Sequence, residues 1–308
     1  MRRVFIRLQG GVGNQLFQYA AGVAVAGVRN VRVLSRAPKP QLSLDELAPG
    51  VLRNASRVDL LAIGQVDGYT QRHIQRVLRR GLRGRRLRAE GLVCSQGDLD
   101  HESMSVRTYT RRPIIMQGYF QDPSWYEPAD DTVVRQLLEH APPEWEAALR
   151  LEYAVISFRR GDYMPLGWCV EMDYYHRSLE HLDRNLPLVV VGDDRSFALS
   201  FANNLAQRGW KVIEPPVLHE NPSINDFWVI AAARDVVMSN SSFCWWATRV
   251  GESRWPATAS RTVTFPSHWI DGAGQRLRMR RWIQVDSSGM HGDARVVGEF
   301  EASPDHRA

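Results

Sequence analysis

The chain has 308 residues, a length that suggests two domains rather than one large core. Its 44% hydrophobic and 24% charged residues are ordinary for a globular protein and exclude collagen-like, low-complexity and wholly disordered chains. The three cysteines, Cys94, Cys169 and Cys244, are too few and too scattered for a disulfide scaffold or a zinc site. They favour a reducing compartment.

The formal net charge is +5, and of the 39 basic residues only Lys39 and Lys211 are lysine. This excess of arginine fits either a GC-rich genome or planar, bidentate recognition of phosphate. No stretch reaches about 18 uncharged apolar residues, and the first apolar run is too short for a signal peptide. The sequence therefore predicts a cytoplasmic protein with no integral membrane segment.

The first half of the chain has the pattern of an α/β unit. A strand over 4–8, a glycine turn over 10–13, a helix over 14–27 and a strand over 31–34 predict a βαβ unit. Residues 68–92 are rich in arginine and suggest one or two helices with a solvated basic face. A strand over 114–116 and a helix over 133–149, interrupted at Pro142 and Pro143, complete a domain predicted to span 1–150.

The second half repeats the alternation, which predicts a second α/β domain over 151–286 and a polar tail over 287–308. Strands are predicted over 153–158, 187–191, 211–213, 236–238 and 262–265, and helices over 173–182, 196–207, 223–233 and 241–250. Repeated βα units predict parallel sheets covered on both faces. Two such domains bind ligands at the C-terminal ends of their strands, in the cleft between them.

The turn Gly10-Gly11-Val12-Gly13-Asn14-Gln15 lies where a phosphate-binding turn would lie. A dinucleotide fingerprint also needs a third glycine and an acidic residue about 20 positions on, and both are missing here. An NADP site is the weaker alternative, because Arg36 could meet a 2′-phosphate. Otherwise these glycines only allow a tight turn close to some ligand.

Arg159 and Arg160 follow a buried strand and precede Gly161, which predicts two guanidinium groups directed into the cleft. Such a pair of cations stabilises a diphosphate leaving group without a metal. The alternative is a surface pair in which Asp162 caps the next segment.

Small polar residues mark the junction between the strand over 236–238 and the helix that follows. Asn240, Ser241 and Ser242 offer hydroxyl and backbone N–H groups to an anion, or else they only cap the helix. The adjacent Trp245 and Trp246 cannot share one helix face, so we expect one in the core and the other elsewhere. Asp226, one helix earlier, could accept from a guanine base or could be an ordinary first-turn acid.

Together these segments resemble glycosyltransferase family 11, the α-1,2-fucosyltransferases, over about residues 4–283. Segment 10–20 is similar to the family's GGxGNQLFQYA, 118–121 to its GYFQ, 159–163 to the core of its HxRRGDY, and 239–247 to its SNSSFSWWA. Residues 169–175 and 265–269 are similar to two further segments, and all six occur in the family's order.

The resemblance implies a GT-B fold, with two Rossmann-like domains facing across a cleft, the first (1–150) on the acceptor side and the second (151–286) binding the nucleotide sugar. It also implies an inverting, metal-independent transfer of L-fucose from GDP-β-L-fucose to a hydroxyl of a glycan or glycoside. The GDP-sugar is then a co-substrate, and no cofactor is expected. Carried over by position, Arg159 and Arg160 hold the diphosphate, Ser241 and Ser242 bind phosphate, and Asp226 reads guanine.

Further donor-site candidates are Gly11, Gly13, Asn14, Gln15, Ser157 and Asn240. Ser157 stands where the family has the histidine of its arginine motif, so another GDP-sugar or nucleotide sugar is the alternative donor. For the base that takes the acceptor proton, Asp162 is the first candidate, although it could instead orient an arginine. An NADP-dependent reductase and an RNA-binding protein using residues 72–88 are the rival functions.

Overall fold

The computed structural model describes residues 3–36, 42–57, 59, 92–95, 114–255, 260–269 and 274–287. In these ranges the chain forms two α/β units, each built on an all-parallel sheet. The arginine-rich stretch predicted to be helical over 68–92 lies outside the described residues except at its last position. So does the tail beyond residue 287.

The first sheet has the strand order β2-β1-β4-β3. Its central strands are β1 (Val4–Leu8) and β4 (Ile114–Gln117), and β2 (Val31–Arg36) and β3 (Leu92–Ser95) lie at the edges. Helix α1 (Val12–Ala26) connects β1 to β2 and packs against β1. The predicted βαβ unit is therefore confirmed.

Further helices of this half are α2 (Leu44–Leu47), α3 (Pro123–Leu138) and α4 (Trp145–Leu149). The predicted break near Pro142 is confirmed, but the predicted helix start at 133 is wrong by ten residues. Pro123 occupies the first turn, where its missing N–H costs nothing, and the Asp122 carboxylate caps the helix. Buried aromatic residues near its start hold the helix together past its internal proline.

The second sheet has the order β6-β5-β7-β8-β9. Its strands are β5 (Ala154–Phe158), β6 (Leu188–Gly192), β7 (Asp235–Val237), β8 (Val263–Pro266) and β9 (Ile283–Val285). Its helices are α5 (Met172–Leu179), α6 (Arg195–Gln207), α7 (Pro222–Ala232), α8 (Ser242–Glu252) and α9 (Gly274–Leu277). Every residue of β5 and β6 is buried, as expected of parallel strands covered on both faces.

The strand predicted over 211–213 is reduced to an isolated bridge between Leu188 and Val212. Pro215 and Pro216 follow shortly afterwards, and proline has no N–H to continue a ladder. The first sheet ends at residue 117 and the second begins at residue 154, while the domain boundary near 150 stays a prediction.

The largest hydrophobic core runs from one unit into the other. Helix α8 packs on α7, α1 and α3, so it is enclosed on several sides. For this reason the expectation that only one of two adjacent tryptophans is buried is wrong: Trp245 is 1% exposed and Trp246 is fully buried. Phe17 of α1 contacts both rings, with centroids 4.9 and 5.2 Å away.

Candidate active site

A cavity of about 910 Å³ opens between the two units, at the C-terminal ends of their strands. The first unit contributes its glycine turn and residues after β4, and the second contributes residues after β5, β6, β7 and β8. Nine of the predicted site residues line it: Gly11, Gly13, Asn14, Ser157, Arg159, Asp162, Asp226, Ser241 and Ser242. Three do not line it: Gln15, Arg160 and Asn240.

Arg159 leaves the end of β5 and lies between two carboxylates in the cavity wall. Its Nη2 forms an ion pair with Asp162 Oδ1 at 2.6 Å, and its Nη1 forms an ion pair with Asp193 Oδ2 at 2.9 Å. The guanidinium also lies over the Tyr163 ring, 5.1 Å from its centroid. These contacts fix a planar cation at the strand end, where a bidentate anion can reach it.

Arg160 turns away from the cavity, whereas the sequence predicted that both guanidinium groups would face it. Its guanidinium stacks over the Phe197 ring at 3.7 Å, and Nε approaches Asp194 at 3.4 Å. Its backbone N–H donates to Asp193 Oδ1 at 2.8 Å. Successive residues of an extended segment point to opposite sides, so neighbouring arginines at a strand end need not share one cleft.

Asp226 lies at the cavity and is paired with Arg195, a residue that sequence reasoning missed. Nη1 of Arg195 donates to Asp226 Oδ1 at 2.9 Å, and Nη2 forms an ion pair with Oδ2 at 2.9 Å and donates to the Pro222 carbonyl at 3.3 Å. Burial, with a smaller contribution from the charge of Asp193, raises the pKa of Asp226 to about 6 against the lowering effect of Arg195. The signal for these residues was the sequence Gly192-Asp193-Asp194-Arg195 at the end of a buried strand.

The glycine turn serves two purposes in the structure. Gly13 lies where a Cβ would be 2.3 Å from the backbone of Ser242 and Phe243, so it lets the starts of α1 and α8 touch. Gly10 has a φ of +73°, which favours glycine. Gln15 is buried and bridges the turn to α2, donating to the Gly10 carbonyl and accepting from the Leu44 N–H.

Asn14 joins the two units at the cavity. Its Oδ1 accepts from Gln121 Nε2 and from Ser242 Oγ, both at 2.8 Å. Ser241 precedes α8, but its side chain makes no capping hydrogen bond, so plain capping does not explain it. Ser241 lines the cavity at the N-terminus of α8.

Burial raises the pKa of the Cys244 thiol to about 11, and the nearby Ser157 side chain lowers it by a smaller amount. Both are departures from the motifs described above, with serine in place of histidine and cysteine in place of serine. Asn240 is fully buried and donates to the Trp168 carbonyl at 2.8 Å. It therefore anchors the loop after Arg159 rather than lining the cavity.

Among the described parts of the chain, no group of three or more His, Cys, Asp or Glu side chains could hold a metal ion. Metal independence remains a prediction. No helix within the described ranges is long and apolar enough to cross a membrane.

Two Rossmann-like units face each other across a cleft lined by their strand ends, and this is the GT-B fold that the sequence predicted. No protein-family model matches the chain. Over 262 residues it is 24% identical to an alpha-1,2-colitosyltransferase from Escherichia coli, covering 80% of this chain and 87% of that protein.

Among solved structures, the chain is similar to the fucosyltransferase NodZ from Bradyrhizobium, at 12% identity and a TM-score of 0.40. That match covers 80% of this chain and 93% of NodZ. It is also similar to the heptosyltransferase WaaC from E. coli, at 11% identity and a TM-score of 0.48, covering 94% of each chain.

Proposed function

We propose that this protein is a glycosyltransferase that moves a sugar from a nucleotide diphosphate to a hydroxyl of a carbohydrate or glycoside. The observation that carries the proposal is Arg159, held by two carboxylates at a strand end and facing the cavity between the units. The similarity to the colitosyltransferase and the six ordered motifs support the same class of reaction.

Within this class we propose an inverting, metal-independent transfer of L-fucose from GDP-β-L-fucose. The name of the E. coli relative makes a colitosyl donor the first alternative. Ser157, in place of the family's histidine, belongs to the donor side of the cavity and bears on that choice.

The chemistry is a single displacement. The acceptor oxygen attacks the anomeric carbon, the bond from that carbon to the β-phosphate oxygen breaks, and its electron pair stays on the diphosphate. Arg159 stabilises this developing charge, and Ser241 and the backbone N–H groups at the start of α8 supply further donors. The Ser242 hydroxyl already donates to Asn14, so Ser242 contributes through its backbone. The proton of the attacking hydroxyl passes to a base.

Asp162 can serve both roles predicted for it, one after the other: it first orients Arg159 and then acts as the base. Its side chain is 62% exposed, so its ion pair with Arg159 is readily exchanged. The incoming diphosphate replaces Asp162 on the guanidinium, while Asp193, at 17% exposure, keeps its hold from the other side. The released carboxylate is then free to accept the acceptor proton.

The test is replacement of Arg159 by alanine. We expect kcat/KM to fall on the order of 10²- to 10³-fold, because one charge-stabilising group is removed from the transition state. Transfer is measured by mass spectrometry with GDP-L-fucose, GDP-colitose, UDP-sugars and ADP-sugars against a panel of glycan acceptors.

The matched control is Arg150→Ala, which removes an exposed arginine that does not line the cavity. Near-normal turnover by a folded Arg159→Ala protein would overturn the role of this residue. Loss of wild-type activity in EDTA, restored by Mn²⁺, would overturn metal independence. Binding of NADPH with no binding of any nucleotide sugar would favour the reductase instead.

A further inference from the structure

The loop between β5 and α5 carries an unbroken run of exposed apolar residues. The run, here called the apolar loop, consists of Met164, Pro165, Leu166, Gly167 and Trp168. Met164 is 47% exposed, Leu166 51% and Trp168 37%. Such a run is unfavourable on a protein surface unless something binds there. We propose that the apolar loop binds an apolar aglycone of the acceptor, that is, an alkyl or aryl group attached to the acceptor sugar.

This inference rests on the proposed function and names the chemical class of its acceptor. The displacement described above needs only a sugar hydroxyl and says nothing about what that sugar is attached to. The apolar loop supplies this second part of the acceptor.

Hydrogen bonds of the backbone hold the apolar loop in a defined shape. The N–H groups of Leu166 and Trp168 both donate to the Tyr163 carbonyl, at 3.2 and 3.1 Å. Gly167 between them has a φ of +66°, which favours glycine. The Trp168 carbonyl accepts from the buried side chain of Asn240 at 2.8 Å. A folded turn therefore presents the apolar side chains to solvent, and little order has to be gained when a ligand binds.

The apolar loop begins and ends at the edge of the cavity. Asp162, Tyr163 and Trp168 line the cavity, whereas Met164 and Leu166 do not. The rings of Tyr163 and Trp168 pack edge to face, with centroids 5.7 Å apart. These rings therefore join the cavity wall to an apolar surface outside it. An acceptor whose hydroxyl lies at Asp162 can extend past the two rings and onto the loop.

The side chains of the loop fit an apolar group better than a further length of glycan. Proline and leucine have no side-chain hydrogen-bonding group, and the methionine sulfur is only a weak acceptor. Sugar hydroxyls placed on this surface would lose water without gaining partners, which is unfavourable. An alkyl or aryl group gains free energy by leaving water, and the flexible methionine adapts to its shape.

The charges beside the loop disfavour a membrane surface as its occupant. Asp162, Glu171 and Asp173 flank the loop along the chain and are exposed. Arg159 and Arg160, which precede it, are each paired with a carboxylate. An anionic bilayer attracts unpaired cations and repels carboxylates. Apolar residues with acidic neighbours therefore suit a single uncharged aglycone.

Matched alkyl glycosides test the inference on the unmodified protein. We expect the KM of octyl β-D-galactoside to be on the order of tenfold lower than that of methyl β-D-galactoside. The kcat should change little, because the aglycone is bound equally in the ground state and the transition state. The same pairs of glucosides and N-acetylglucosaminides cover other acceptor sugars, all below the concentration at which micelles form. Equal KM values for methyl and octyl glycosides would overturn the inference.

A double variant, Met164→Ser with Leu166→Ser, adds a second readout. The ratio of the methyl KM to the octyl KM should fall from about ten to near one, because the apolar contact is lost. Leu199→Ser is the matched control: it removes an exposed leucine of α6 and should keep the wild-type ratio. Thermal unfolding checks that both proteins are folded. A tenfold ratio that persists in the folded double variant would overturn the inference.

Other occupants of the loop would give different results. Binding to phosphatidylcholine vesicles, or self-association, that is lost in the double variant while both glycosides have equal KM values would overturn the inference. The loop would then belong to a membrane contact or to a second copy of the chain.

The outcomes also separate this inference from the proposed function. Transfer to free glycans but to no octyl glycoside would overturn the inference and leave a glycosyltransferase. Failure to bind or use any nucleotide sugar would overturn both.

Discussion

Asn14 is held by both α/β units, and this fixes what it can offer a ligand. Its carboxamide oxygen accepts from Gln121 and Ser242, so the oxygen is committed to the protein. None of the described residues accepts from its Nδ2. The residue lines the cavity, and we therefore expect it to act on a ligand as a donor only.

Asn14→Asp tests this expectation, because aspartate keeps the two accepting contacts and removes the donor. We expect the KM for the sugar donor to rise on the order of tenfold or more, since a hydrogen bond is lost and a negative charge is added near a diphosphate. The melting temperature should change little, because the contacts to Gln121 and Ser242 remain.

Ionic strength distinguishes the two contributions to the rise in KM, the lost hydrogen bond and the added charge. A charge effect at an open cleft weakens as ionic strength rises, whereas a missing donor does not. Full recovery of KM in high salt, or an unchanged KM in low salt, would contradict the assignment of Asn14 as a donor.

At the scale of elements, the decisive contact is between the starts of α1 and α8. A Cβ on Gly13 would lie 2.3 Å from the backbone of α8, whereas a Cβ on Gly11 would meet nothing within 4 Å. Gly11 also has a φ of −68°, which any residue adopts. Two glycines of one motif are therefore required to very different degrees by the fold.

Gly13→Ala should destabilise the protein by about 1–3 kcal/mol through overpacking, although alanine normally favours a helix. Gly11→Ala should have little effect on stability. Thermal unfolding of the two variants beside the wild type measures the difference. Equal melting temperatures would mean that the two helix starts do not need this close approach.

Most strands and helices could be predicted from the sequence. Each buried parallel strand is a short apolar run that lies between glycine residues and helical segments. Two kinds of element could not be predicted. The first turns of α3 contain Pro123 and Pro128, and their helical state depends on tertiary packing of the aromatic residues beside them. β9 has two exposed residues in three, so its pairing with β8 leaves no pattern in the sequence.

The site was predictable as a set of segments and less so as individual contacts. Sequence reasoning identified nine residues that line the cavity, eight of them within the family-like motifs and the ninth, Asp226, on a helix outside them. It could not separate Arg159 from Arg160, since the direction of each side chain depends on the path of the loop after β5. It also missed Arg195, whose partner lies 31 positions away on another helix.

At the scale of the whole molecule, the two units are joined by more than a linker. Arg249 of α8 donates to Asp130 of α3 at 2.8 Å and also pairs with Asp131, and the Arg249–Asp130 pair is largely buried. Phe17, Tyr126 and Trp245 pack edge to face or tilted across the same boundary. The largest core is therefore continuous across this boundary, and a second core lies within the second unit alone.

The protein should therefore unfold in one cooperative transition, with calorimetric and van't Hoff enthalpies equal. Arg249→Ala leaves Asp130 as an unpaired buried carboxylate, and should cost about 3–5 kcal/mol while the transition stays single. Differential scanning calorimetry of both proteins is the measurement. Two resolved transitions in the wild type would show that the units are energetically independent.

The contact of α1 with α8 also limits how such a protein can be recombined. A hybrid made by joining the first half of one relative to the second half of another, cut near residue 150, would set a foreign α1 and α3 against α8. A side chain at position 13 would clash with the start of α8, and a smaller ring at position 17 would leave a cavity in this contact. Exchange of acceptor specificity is better sought by grafting segments outside the contact, so that α1, α3 and α8 always come from the same protein.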